Sequence, residues 1–284
     1  MTLLLAALTA GAQNGPSGGG GNANSSIYAA RCTPSASASA PEIPFRQFLV
    51  GEWLFPAGNP TNDSSGVGNH AIDPGGANSP VSTNFGGIQC LFLGGVDDYY
   101  SLGDSRGRYY VPKNDANHLD PVTQSLVVAY WVFQTANQGN YAHWIGNDAN
   151  QEPDYGGRWE RSTAWGDPTV MRDNWGDQQV WGGATIPNNT WILMTGICLH
   201  DNSGSFGTGR TFQYTNFTSV YINNGGLSRV MGTTNVRLSV GARPFANDYG
   251  AVTYIDDVRI WRITYPQTWT NDAFVNEIYQ YGHQ

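Results

Sequence analysis

The sequence predicts an all-β chain: two antiparallel sheets packed face to face, one short C-terminal helix, and a flexible N-terminal arm. Three observations carry this. Turn formers are dense, with 36 Gly and 15 Pro among 284 residues. Between them run short segments rich in β-branched and aromatic residues, bounded by Gly, Asn, Asp and Pro. One segment alone, close to the C-terminus, has helical spacing.

Residues 1–46 stand apart in composition. An apolar MTLLLAAL is followed by GPSGGGGNANSS and TPSASASAP, which are too poor in apolar bulk to bury a core. An apolar tip on a flexible tether gains free energy by docking on another surface. The arm is therefore expected to engage other subunits of an assembly. The run lacks a positive n-region and reads as an uncleaved arm rather than a secretory signal. It is too short to span a bilayer, and no transmembrane helix is expected elsewhere.

From residue 47 to residue 284 the pattern is that of one domain of short strands. Strands are expected at 48–55 (FLVGEWLF), 87–94, 99–102, 125–134 (SLVVAYWVFQ), 140–146, 191–200, 219–223, 236–242 and 253–263 (TYIDDVRIWRI). In VRLSVG, Val236, Leu238 and Val240 share one face. In YIDDVRIWRI, strict alternation groups Ile255, Asp257, Arg259, Trp261 and Ile263 against Asp256, Val258, Ile260 and Arg262. Neither group is purely apolar, which suggests a strand near a sheet edge or a metal loop. Asn224-Gly225 reads as a hairpin turn. Residues 146–183, rich in Trp and Asp, read as an elaborated loop system. NDAFVNEIYQYG places Phe274, Ile278 and Tyr281 on one helical face, with Thr270 or Asn271 as N-cap.

Charge narrows the function classes. Only 13% of residues are charged, Lys113 is the only lysine, and the net charge is −8. No basic cluster is present, so nucleic acid is not an expected partner. Aromatics reach 13%, with 10 Trp and 15 Tyr. Low charge with many aromatics and amides suits carbohydrate contact or subunit packing, and self-association is expected. The three cysteines, Cys32, Cys90 and Cys198, cannot all pair. Cys90 and Cys198 fall in apolar strand-like runs and read as buried free thiols, with a Cys90–Cys198 bridge as the alternative.

Two distant segments carry a resemblance. Residues 61–71 read TNDSSGVGNHA and residues 91–102 read LFLGGVDDYYSL; residues 251–279 read AVTYIDDVRIWRITYPQTWTNDAFVNEIY. Together they resemble the opening and closing signatures of laminin-G-like jelly rolls of the concanavalin A-like lectin/glucanase superfamily. The resemblance implies a jelly roll over residues 47–284 whose first and last strands are neighbours. It also implies a short closing helix and, as in many superfamily members, a structural Ca2+. Carboxylates offered for that ion are Asp63, the pair Asp97 and Asp98, and the pair Asp256 and Asp257. The structural alternative is that these groups accept turn hydrogen bonds or pair with Arg259.

Glycan recognition needs flat apolar rings for stacking and polar groups for hydroxyls. Trp144, Tyr155, Trp159, Trp165, Trp175 and Trp181 lie among Asn, Asp, Gln and Arg and are the candidate ligand-binding residues. Trp53, Trp131, Trp191 and Trp261 fall inside strand patterns and are expected in the core. Glycoside hydrolysis needs two facing carboxylates. Of the five Glu, Glu152-Pro153-Asp154 resembles the start of a superfamily glucanase motif, but no second Glu follows at the required spacing. The expected function is thus non-enzymatic: a lectin-like surface-display module of a larger assembly. Bacteriophage head-decoration, spike or fibre proteins are the model, at a virion surface. The alternative is a secreted or cell-surface carbohydrate-binding adhesin; a glycosidase ranks behind both.

Overall fold

The computed structural model describes residues 42–95, 97–104, 124–138, 142–147, 159–164, 167–175, 178–199, 210–216, 218–223, 237–242, 250–264 and 271–283. The three strands between residues 159 and 185 are described by their backbone. Pro41–Gln284 forms one compact unit. Near its start, Ile43 and Phe45 already pack on apolar side chains, Phe45 stacking on Phe274 at 4.3 Å.

In chain order the strands are β1 (Leu49–Trp53), β2 (Val81–Phe85), β3 (Ile88–Leu93), β4 (Tyr99–Asp104), β5 (Gln124–Gln134), β6 (His143–Asn147) and β7 (Trp159–Ala164). They continue with β8 (Asp167–Trp175), β9 (Gln178–Thr185), β10 (Ile192–Leu199), β11 (Arg210–Thr215), β12 (Thr218–Asn223), β13 (Arg237–Gly241) and β14 (Thr253–Thr264). Helix α1 (Asn271–Tyr281) follows. Two antiparallel sheets result. The larger runs β12-β11-β10-β5-β14-β3-β2, with β1 also on β14; the smaller runs β4-β13-β6-β7-β8-β9. No described helix is long and apolar enough to cross a membrane.

The expected neighbours meet. Strand β1 pairs with β14 over Val258–Trp261, and β3 pairs with the same strand over Thr253–Ile255. The two strands thus divide β14 between them. Where they change over, the register against β5 slips between Asp256 and Arg259, and Asp257 adopts φ 49°. This is a β-bulge, and it inverts the alternation. Ile255 therefore shares the inter-sheet core with Val258 and Ile260, while Trp261 and Ile263 belong to a second cluster. Strict alternation across Asp256-Asp257 was the wrong expectation. The mixed polarity comes from the bulge, and β14 is flanked by β5 on one side and by β1 and β3 on the other.

The inter-sheet core holds Trp53, Leu91, Leu93, Tyr100, Tyr130, Trp144, Leu238 and Val240. The second cluster lies on the opposite face of the large sheet, where α1 seats Phe274, Val275 and Ile278 against Trp131, Leu193, Ile197 and Trp261. Tyr214 on β11 ties this helix down by donating to Asp272 Oδ1 in its first turn at 2.6 Å. Strands β7, β8 and β9 form an antiparallel run that widens the small sheet, in a stretch expected to be a loop system. Cys90 is buried and free, so it makes no bridge to Cys198; burial pushes its thiol up to about 12. The Asn224-Gly225 turn lies outside the described residues.

Candidate functional site

Among the residues expected to contact glycan, Trp144 is in the core. It sits on β6 with 0% exposure, so its ring faces are taken by packing. The register slip between His143 and Ile145 on β6 lets Trp144 join the core together with its neighbour Ile145. Trp159, Trp175 and Trp181 occupy β7, β8 and β9; Trp159 is the register partner of Trp175, and Trp181 that of Arg172. Tyr155 and Trp165 lie outside the described residues. Trp53, Trp131 and Trp261 are buried as expected, whereas Trp191 is only partly buried.

Trp191 belongs to an arrangement that sequence reasoning missed. Phe92 on β3, Tyr254 on β14 and Phe133 on β5 are register partners in a row across the large sheet. Their neighbours Leu91, Leu93, Ile255 and Val132 point into the inter-sheet core, so these three rings face outward. The Phe92 and Tyr254 ring centroids are 4.9 Å apart. Phe85 stacks on Tyr254 at 4.1 Å and meets Phe133 at 4.8 Å. Trp191 extends the row, 5.6 Å from Phe133. All five rings are partly exposed. Val81, the partner of Phe92, is 57% exposed, and Val252, two residues from Tyr254, is 46% exposed. Phe92, Phe133 and Tyr254 lie on three separate strands, Phe85 ends the polar strand β2 and Trp191 precedes β10, so only the folded register brings them together.

A charged cluster adjoins this row. His283, just after α1, lies 4.1 Å from the Trp131 ring and 4.8 Å from Trp191. Its Nδ1 is 3.2 Å from Asp256 Oδ2. Arg259 donates from Nε to Glu52 Oε1 at 2.8 Å, and its Nη2 is 3.4 Å from Asp257 Oδ2. The Arg259 guanidinium also lies over Tyr281, 5.1 Å from the ring centroid. Burial pushes the Asp256 carboxyl up to about 8, although the Asp257 amide and the Arg259 guanidinium pull the other way. Burial drives the His283 imidazole down to about 4. Burial thus favours the uncharged form of both groups.

Among the described residues, the five carboxylates expected around Ca2+ do not form one cluster; only Asp256 and Asp257 come together, with His283. Asp63 is buried and accepts five hydrogen bonds, from the amides of Glu52, Ser65, Gly68 and Asn69 and from Ser65 Oγ. It holds the 61–71 turn against β1. Asp98 accepts from the Gly94 amide at 2.6 Å in the turn before β4, beside the partly exposed Asp97. Among the described residues, three potential metal-ligating side chains converge only at Asp256, Asp257 and His283. One nitrogen and two carboxylates do not make the all-oxygen, six-to-eight-ligand shell of Ca2+.

No family model and no curated protein matches the chain. Solved structures do. Domain 4 of a GH43 extracellular arabinanase from Geobacillus stearothermophilus, in complex with arabinotriose, aligns with a TM-score of 0.54 at 15% identity, covering 82% of this chain and 98% of that one. The binding domain of Paraclostridial Mosquitocidal Protein 1 aligns at 0.57 and 11%, covering 82% and 52%. The binding domain of botulinum neurotoxin serotype D aligns at 0.52 and 11%, covering 83% and 51%. The chain shares their β-sandwich fold. It spans about half the length of the two toxin domains. At such identities the likeness extends to the fold alone.

Proposed function

We propose that this β-sandwich is a non-enzymatic, lectin-like binding module whose outward aromatic row stacks on the sugar rings of a glycan. The row itself carries the reading: five partly exposed rings line one face, spaced 4.1 to 5.6 Å apart between neighbours. Rings of this kind offer large apolar faces for stacking, and partly exposed His283 at one end of the row adds a polar group. The fold neighbours support it, since one is described with arabinotriose and two as binding domains. Glu52, the glutamate on β1, is engaged by Arg259 rather than facing a second carboxylate across a cleft. Glu152 and Asp154 lie outside the described residues.

The setting we propose is display by a larger assembly, such as a virion surface, with residues 1–46 engaging neighbouring subunits and the chain self-associating. The composition of residues 1–46 supports this setting. A secreted or cell-surface adhesin is the second reading, favoured by the extracellular arabinanase among the fold neighbours. A glycan array with the purified full chain tests the binding role, and polysaccharide incubation with a reducing-sugar assay tests the non-enzymatic one. Selective array binding without sugar release is expected; sugar release that stops on Glu152→Gln or Asp154→Asn substitution would reverse the second half.

A further inference from the structure

We propose that Asp256, Asp257 and His283 form a binding site for a divalent first-row transition ion of the zinc type. One ligand atom from each residue lies within 4.8 Å of the other two. Asp256 Oδ2 and His283 Nδ1 are 3.2 Å apart. Ligands about 2.0–2.1 Å from a tetrahedral ion sit about 3.4 Å from one another, so these two atoms already stand at the separation such an ion imposes.

The bulge makes the convergence. Successive strand residues normally point to opposite faces. With Asp257 at φ 49°, two consecutive carboxylates are brought to one place. Asp256 has 0% exposure, and its Oδ1 accepts no hydrogen bond. A buried carboxylate oxygen left in this state is costly, and a cation satisfies it. Charge points the same way. Glu52, Asp256 and Asp257 are three buried carboxylates around one buried guanidinium, that of Arg259. A dication compensates this excess of negative charge.

The donor set selects the ion. Imidazole nitrogen with carboxylate oxygens suits zinc and its neighbours. Calcium prefers a larger, all-oxygen shell. His283 follows α1 rather than lying within a strand or helix, so substituting it leaves every backbone hydrogen bond of those elements in place.

The test uses the full chain without a polyhistidine tag, stripped with chelator, dialysed against Zn2+ and analysed for bound metal. One Zn2+ per chain is expected, together with a rise in melting temperature that Ca2+ does not reproduce. Loss of even an outer-shell partner weakens metal sites by about 10–100-fold. His283→Ala should therefore weaken binding by at least about a hundredfold while the metal-free melting curve keeps its cooperativity. Co2+ loading should give the visible absorption of a four-coordinate ion, absent in Asp256→Asn. Failure of Zn2+ to bind stoichiometrically overturns the proposal. So does binding that His283→Ala and Asp256→Asn leave unchanged, or uptake of Ca2+ in preference to Zn2+.

Discussion

Arg259 and Glu52 lie 207 residues apart in the chain and 2.8 Å apart in the fold. The bond joins the last strand of the sandwich to its first, and both side chains are buried. Removing Glu52 leaves Arg259 with Asp257 at 3.4 Å but takes away its hydrogen-bonded partner at 2.8 Å, and breaking a buried pair costs up to about 3–5 kcal/mol. Glu52→Ala should therefore lower the urea midpoint sharply at unchanged slope. A midpoint within error of the parent would mean that the pair adds nothing to closure of the large sheet.

Asp63 should behave as a structural group. Its five accepted hydrogen bonds fix the 61–71 turn. Charge-assisted bonds to backbone amides are worth more than neutral ones, about 1.5–3 kcal/mol each in favourable cases. Asp63→Ala is expected to destabilise the domain equally in chelator and in excess Ca2+, as followed by thermal unfolding. A loss of stability that appears only in Ca2+ would return Asp63 to the set of cation ligands.

Trp144 and the aromatic row should separate stability from binding. Trp144 is fully buried between the sheets, and truncating such a residue costs about 3–5 kcal/mol. Trp144→Ala should unfold at markedly lower denaturant. Tyr254→Ala, on the partly exposed row, should leave most of the stability in place. Paired unfolding curves of the two variants check this, and an equal loss in both would place Tyr254 in the core.

In metal-free buffer, stability should fall as pH rises from about 6.5 toward 8. The Asp256 carboxyl is raised from 3.8 to about 8 by burial, so the folded chain holds a proton that the unfolded chain has released. Its contribution is present at low pH and is lost through the folded value. His283 runs oppositely: its lowering from 6.5 to about 4 makes stability rise with pH across that interval. The two trends oppose each other below 6.5, and above it Asp256 acts alone. Glu52, Asp257, Arg259 and Cys90 are the charged or titratable groups around them. Thermal melts from pH 6 to 9 should show the decline, and Asp256→Asn should flatten it.

Most strands were legible because the core-facing runs are long and apolar. LVGEW, IQCLFL, SLVVAYWVFQ and ILMTGICL each declare a strand by composition. The closing helix was legible from Phe274 and Ile278, both buried. Strand β2 was not, because VSTNF carries a polar residue at each inner position. Strands β7–β9 were missed because charged residues and register shifts interrupt any alternation. The phase change at Asp257 could not be read either, since a bulge depends on which partners flank the strand. For the same reason the aromatic row was hidden. Phe92, Tyr254 and Phe133 come from three distant segments, and register alone places them side by side.

Isothermal titration of the best array glycan into the parent chain and into Phe133→Ala/Tyr254→Ala tests the aromatic row most directly. Truncating central aromatic contacts commonly costs 2 kcal/mol or more, about thirtyfold in affinity. Binding by the parent and a loss of at least about thirtyfold in a variant that still unfolds cooperatively is the expected result. A folded variant that binds as tightly as the parent would contradict a glycan site on this face. It would turn attention to Trp159, Trp175 and Trp181 on the small sheet.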